Sequence, residues 1–270
     1  MTMINIGCGD VFHPAWINLD VLPVSAGVRR LDARRPLPFA DGTVDAVYHS
    51  HVLEHLTSEE AELFLRECFR VLRPGGVVRV VVPDLAGIAR AYLDALRSAD
   101  SGGDPTLYEW CRFELTDQLT RAVSGGEMER WLRQISPEQR TVVRQRAGDA
   151  IVGIGATGRR RPNLAFSNLV TGKSLRWLHR HFVRGLVGLC GGRNYLRAFD
   201  EGVFRQRGEV HRVMYDHFAL SRILRQVGFA DARVVNAVES RITGFSSYEL
   251  DAVGDVVRKP DSLFLEAQRP

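Results

Sequence analysis

Residues 44–82 constrain the fold most: VDAVYHSHVLEHLTSEEAELFLRECFRVLRPGGVVRVVV. Two runs rich in valine, Val44–Tyr48 and Val77–Val82, carry few polar interruptions. That composition suits strands buried on both faces of a parallel sheet. Between them, Ser58 is expected to cap a helix. Ala61, Phe64, Leu65, Cys68, Phe69 and Leu72 fall on one face of it, and Pro74 with Gly75 and Gly76 stops it. Strand, helix and strand in this order predict an α/β fold built on a mostly parallel sheet.

Further strands are expected at Met3–Ile6, Trp16–Asp20, Val28–Leu31, 232–238 and 262–268. A late helix is expected over DHFALSRILRQVGF, with Asp216 as its cap. From about Leu85 to Gly208 the strand signal fades. That stretch is arginine-rich and helical in pattern, with breaks at 101–105, 124–126, 158–163 and 190–194. It reads as a helical insertion at 85–208, with the core formed by 1–84 and 209–270.

The opening stretch INIGCGDVFHPAWINLD holds the candidate site. A glycine turn after a first strand lets a ligand approach bare backbone, and open α/β sheets bind ligands beyond the carboxyl ends of their strands. Asp20 ends the second strand, where a carboxylate can accept hydrogen bonds from a pair of ribose hydroxyls. Asp32 ends the third, where an acid can meet an adenine amino group. A tight turn with capping acids is the plainer reading of the same residues. A dinucleotide fingerprint needs a third glycine at position 12, where Phe12 stands, and residues 8–15 leave room for only about two helical turns. A nicotinamide-dependent oxidoreductase is therefore disfavoured.

Composition narrows the class. The 270 residues are 45% hydrophobic, and the net charge is only +4. That is not the strong basic excess of a dedicated nucleic-acid binder. Lys173 and Lys259 are the only lysines. Cys8, Cys68, Cys111 and Cys190 form no C-x-x-C pair, which argues against a zinc site or a disulfide framework. No apolar run reaches the ~18 residues of a membrane span, and no secretory leader is visible, so a cytoplasmic setting is the simplest expectation.

The succession IGCGD, NLD, LD at 31–32, LPFADGTVDAVYHSHVLEHL and LRECFRVLRPGGVVRVVVPDL resembles a class I S-adenosylmethionine-dependent methyltransferase. It looks most like the small-molecule, type 11-like branch. The resemblance covers residues 1–84, resumes at 209–229 with HRVMYDHFALSRILRQVGF, and ends with the last two strands. It implies a doubly wound, seven-stranded Rossmann-like sheet, and S-adenosylmethionine as cofactor with S-adenosylhomocysteine as product. By this resemblance Gly7, Cys8, Gly9 and Asp10 line the methionine moiety, Asp20 holds the ribose, Asp32 and Ala33 meet the adenine, and His49 and Ser50 face the amino-acid end. Relatives often carry helices before the first strand that cover the cofactor. Here the 85–208 insertion or a second copy of the chain is expected to supply that lid.

Methyl transfer to a hydroxyl needs a base within hydrogen-bond reach. His51, Asp84 and His211 are the candidates, each following a strand or preceding the late helix. Asp84 can equally cap a helix beginning at Leu85. Glu54 and His55 belong to the E-H-L of the resemblance and read as structural. His49, His51 and His55 straddle a strand end and a helix without completing an acidic ligand set, so no metal is expected. In KSLRWLHRHFVRGLVGLC, Lys173, Arg176, Arg180 and Arg184 form a basic face beside Leu175, Leu178, Phe182, Leu186 and Leu189. That shape can lie on an anionic membrane or hold an anionic substrate, as can the arginines of 158–163, but a lid helix with a solvated basic face is preferred. The expected activity is methyl transfer to a small-molecule acceptor, a hydroxyl oxygen on a sugar or natural-product scaffold. The alternative is a protein that binds the same cofactor without transfer, within a polysaccharide or lipid assembly.

Overall fold

The computed structural model describes residues 1–148 and 173–270. Strands β1 (Met3–Ile6), β2 (Ile17–Asp20), β3 (Val28–Arg30), β4 (Val44–Ser50), β5 (Leu72–Pro83), β6 (Ala230–Val235) and β7 (Ser262–Gln268) form one seven-stranded sheet in the order β3-β2-β1-β4-β5-β7-β6. The first five strands pair in parallel. β7 runs antiparallel to both β5 and β6. The chain winds outward from β1 through β2 to β3, then returns to β4 on β1's other side. This is the α/β sheet the sequence predicts, and it puts a topological switch point between the carboxyl ends of β1 and β4.

Helix α1 (Ser58–Val71) joins β4 to β5. Its cap is Thr57, not Ser58: the Thr57 side chain accepts from the Glu60 N–H while the Glu60 side chain accepts from the Thr57 N–H. This reciprocal T-x-x-E box outcompetes a lone serine because it satisfies two end-of-helix donors. Residues 85–147 form α2 (Leu85–Asp100), α3 (Thr106–Thr120), α4 (Gly126–Leu132) and α5 (Pro137–Ala147). They gather a hydrophobic cluster of their own around Trp110, Cys111, Phe113, Leu132 and Val143. Helix α6 (Lys173–Arg205) bends at Gly192, within the glycine break expected there. In its described part Phe182 and Leu189 are exposed, and Arg184 pairs with Asp200 across the bend. The side chains of Lys173, Leu175, Arg176, Leu178 and Arg180, and the arginine loop at 158–163, lie outside the described residues. No helix among the described residues is long and apolar enough to cross a membrane.

Helix α7 (His217–Val227) is capped by Asp216, whose Oδ1 accepts from the Ala219 N–H at 2.8 Å, as expected. It packs beside α1 on one face of the sheet, over Val47, Val78, Val80 and Leu265. The opposite face is covered differently. There Trp16 from the β1–β2 connection and a 3-10 turn (Phe245–Tyr248) pack over Tyr48, Val81 and Phe264. The β1–β2 connection itself forms turns and no helix, as its shortness implies.

Arg79 pins this second face. It sits in the middle of β5 with no solvent exposure. Its guanidinium donates to Asp251 Oδ2 at 2.7 Å and to Glu266 Oε1, Glu239 O and Asn236 O at 2.8 Å. Its carbon lies 4.3 Å from the centre of the Phe245 ring. Tyr48 closes the network by donating to Asp251 Oδ1 at 2.6 Å. Removing one partner of such a network leaves buried carboxylates uncompensated. Arg79→Ala is expected to destabilise the chain by about 3–5 kcal/mol. Urea unfolding measures this; a loss within about 1 kcal/mol would mean the network is dispensable.

Candidate functional site

Two loops meet at the switch point. After β1, Gly7 and Gly9 take φ of 68° and 54°, a left-handed region that favours glycine. A Cβ on Gly7 would collide with Val52 Cγ2, so the glycine is what lets the loops after β1 and β4 close on each other. Gly9 has nothing within 4 Å of where a Cβ would stand. Its backbone therefore faces open space.

Asp20 locks this turn. Its Oδ2 accepts from the Gly9 N–H at 2.8 Å, and its Oδ1 from the Leu22 N–H at 2.8 Å. Gly7 N–H and Cys8 N–H both donate to Leu19 O. Each carboxylate oxygen keeps a lone pair for a ligand hydroxyl. Cys8 turns its side chain inward, where burial pushes the thiol up to about 11, with help from Asp20. Only its backbone is available to a ligand. Asp10 is exposed at the rim. The bare backbone at Gly9, the open space before it and the adjoining acid together fit an adenosyl group.

Asp32 follows β3 beside half-buried Ala33. Both its oxygens accept from the Arg34 guanidinium, at 2.9 and 2.8 Å, and this holds its carboxyl below the usual range. An adenine amino group would share Asp32 with Arg34. His49 departs from expectation. Successive β4 side chains alternate between the faces of the sheet, so His49 follows Val47 to the α1 face. It is fully buried there, edge-on to Phe64 at 5.0 Å, and both ring nitrogens are unpartnered. Ser50 points the other way, with its Oγ 3.4 Å from Lys259 Nζ.

The expected bases separate. Asp84 is the N-cap of α2, accepting from the Ala86 N–H at 3.2 Å, and Asp84 N–H donates to Asp261 O. Its Oδ1 is thus taken up by the cap. His51 occupies φ of 56°, a conformation uncommon outside glycine. Its Nε2 lies 2.9 Å from Ser262 Oγ and its Nδ1 3.3 Å from Glu54 Oε1. His211 lies within the same cluster, 4.8 Å ring-to-ring from His55. Burial holds the His51, His55 and His211 rings low, His211 at about 3.

The sequence suggests only a structural part for Glu54 and none for Lys259 or Asp261. Glu54 is fully buried, and burial pushes its carboxyl up to about 8. Burial lowers Lys259 and raises Asp261. Lys259 carried one signal, as one of two lysines in a chain that otherwise uses arginine.

Residues 15–80 match the family model described as a methyltransferase domain. A 68-residue stretch is 44% identical to a probable S-adenosylmethionine-dependent methyltransferase of Mycolicibacterium smegmatis, covering 24% of this chain and 26% of that protein. Over residues 15–80, then, this chain is similar to S-adenosylmethionine-dependent methyltransferase domains. The chain spans about a quarter of the length of the curated relative it matches. Among solved structures, a SAM-dependent methyltransferase from Archaeoglobus fulgidus is 12% identical, with a TM-score of 0.40 over 99% of this chain and 86% of the other. A second, from Mesorhizobium loti, is 15% identical with a TM-score of 0.38 over 99% and 90%. S-adenosylmethionine is the cofactor that this similarity implies.

His49 carries a pH dependence of its own. Burial alone lowers it to about 3 from the ordinary 6.5. A histidine depressed on folding contributes stability that is present above pH 6.5 and lost as pH falls towards 3. His49→Leu should make the chain less sensitive to acid between pH 6.5 and 4, by roughly 3 kcal/mol. Denaturant unfolding across that range tests this; parallel wild-type and variant curves would show that His49 already protonates at an ordinary pKa.

Proposed function

We propose that this chain transfers the methyl group of S-adenosylmethionine to a small-molecule acceptor, at a hydroxyl oxygen on a sugar or natural-product scaffold. The observation that carries the reading is the Gly7–Gly9 turn, open at Gly9 and joined to Asp20 by the Gly9 N–H. When bound, S-adenosylmethionine supplies an electrophilic methyl group on a sulfonium. Gly7, Cys8, Gly9 and Asp10 offer backbone to its methionine part, Asp20 accepts from the ribose hydroxyls, and Asp32 with Ala33 borders the adenine. Ser50 sits at the β4 end of the same edge. His49 is set apart from this surface by its burial.

The work left to the protein is alignment and exclusion of water. The acceptor oxygen must lie about 3–3.5 Å from the methyl carbon and in line with the sulfur. His51 is the base we favour. Its left-handed backbone is a strained conformation of the kind held at working sites, and Glu54 stands behind its Nδ1. In this scheme its Nε2 exchanges Ser262 for the acceptor hydroxyl. An anionic acceptor fits the cavity of about 360 Å³ lined by Thr57, Leu119, Arg205, His211 and Arg212. Residues 85–208 are assigned as the cover of the site. A cytoplasmic setting belongs to the same reading and agrees with free thiols at Cys8, Cys68, Cys111 and Cys190.

A second reading is binding of the cofactor without transfer. It is favoured by the engagement of the expected bases, Asp84 in a cap and His51 with Ser262.

Calorimetry with S-adenosylhomocysteine, paired with turnover on a panel of hydroxylated acceptors, separates these readings. Asp20→Ala removes charge-assisted hydrogen bonds worth ~1.5–3 kcal/mol and should weaken binding about 10- to 100-fold. His51→Asn tolerates the left-handed backbone, so it should keep cofactor affinity while turnover falls ~10²–10⁴-fold. An Asp20→Ala variant that binds like the wild type would contradict the assigned cradle. Tight binding with no transfer to any acceptor would favour the second reading.

A further inference from the structure

We infer that Glu54, His55 and His211 form a binding site for one divalent transition-metal ion of the zinc type. One ligand atom from each residue lies within 4.8 Å of the others. Topology makes the cluster. Glu54 and His55 sit on the 3-10 turn Leu53–His55 that follows β4. His211 is held over them because Arg212 N–H donates to Glu54 O at 2.6 Å and His211 N–H to Gln118 O at 2.9 Å.

The polar groups point to an occupant. Both Glu54 oxygens and His211 Nδ1 are buried without a hydrogen-bond partner, on residues 0% and 3% exposed. Glu54 Oε1 has only the His51 Nδ1 contact at 3.3 Å, so Oε2 and His211 Nδ1 remain as clustered orphan groups that need explaining. His55 has the complementary arrangement. Its Nδ1 lies 3.4 Å from Val210 O, and a ring N–H held by a backbone carbonyl orients an imidazole so that its other nitrogen can bind metal. Two imidazoles and one carboxylate are a donor set for zinc and its first-row neighbours, not for magnesium or calcium.

Other charges bear on the cluster. Lys259 and Asp261 influence Glu54, and Arg121 influences His55 and His211. Arg121 is paired with Asp117 and Glu209. Lys259 is the competing partner for Glu54, yet its hydrogen-bonding contact is with Ser50 Oγ. His51 meets Glu54 through Oε1, which leaves Oε2 to the ion. His211 also lines the cavity of about 360 Å³ beside Thr57, Arg205 and Arg212. Three protein ligands beside an open cavity match sites that keep a coordination position for water or a substrate oxygen.

Glu54 and His211 also border the proposed transfer site, so the test reads metal binding and not turnover. The full chain is stripped with a chelator, then titrated with Zn²⁺ by calorimetry and with Co²⁺ by visible absorption. One ion per chain is expected, bound at about 10 µM or tighter. Glu54→Gln and His211→Ala should each weaken binding at least about tenfold and remove the cobalt bands, whereas His13→Ala, a substitution outside the cluster, should leave them. If Glu54→Gln fails to fold, His211→Ala alone decides. Absence of binding by either ion, or equal affinity in the wild type and His211→Ala, overturns the site.

Discussion

The contact between Gly7 and Val52 is the constraint on which the rest depends. Only a residue without a Cβ lets the loops leaving β1 and β4 approach so closely, and only a turn with φ near 68° sends the chain back towards β2. The turn is then fixed from the second strand by Asp20, whose carboxylate takes the Gly9 N–H. One carboxylate thus does two jobs. It holds the backbone in the shape that admits a ligand, and it offers remaining lone pairs to that ligand. The parallel pairing of β1 with β2 and β4 keeps the three strand ends at one edge, where this geometry can form.

The far half of the sheet depends on Arg79. A buried guanidinium in the middle of β5 draws Asp251, Glu266 and two backbone carbonyls onto a face that a helix would otherwise cover. The loop anchored in this way leads directly to Lys259, Asp261 and Ser262. These residues meet Ser50, Asp84 and His51 at the ends of β4 and β5. The site is therefore assembled from two sides, by a glycine turn near the start of the chain and by a buried charge network near its end.

Much of this was legible in the sequence, for identifiable reasons. Met3–Ile6 and Ser262–Gln268 are short apolar runs bounded by polar residues, and the structure reproduces both. Asp20 stood out because it closes a strand soon after two glycines. His49 was misplaced because the period-two alternation of β4 was not carried through to the end of the strand; Val47 on the α1 face already implied His49 there. Ser58 was preferred to Thr57 although T-S-E-E spells a capping box. Glu54, His211 and Lys259 lie far apart in the chain, and only the order of the strands brings them together. No local pattern could announce that cluster. Arg79 was hidden within a valine run, where its charge looked like an interruption of a strand instead of the hub of one face.

The most direct test of the central claim is a crystal structure of the full chain grown with S-adenosylhomocysteine. The account predicts a ligand lying over Gly7–Gly9, with its ribose hydroxyls within hydrogen-bond distance of the Asp20 carboxylate. A ligand bound elsewhere, or a turn at Gly7–Gly9 packed shut by side chains, would contradict it.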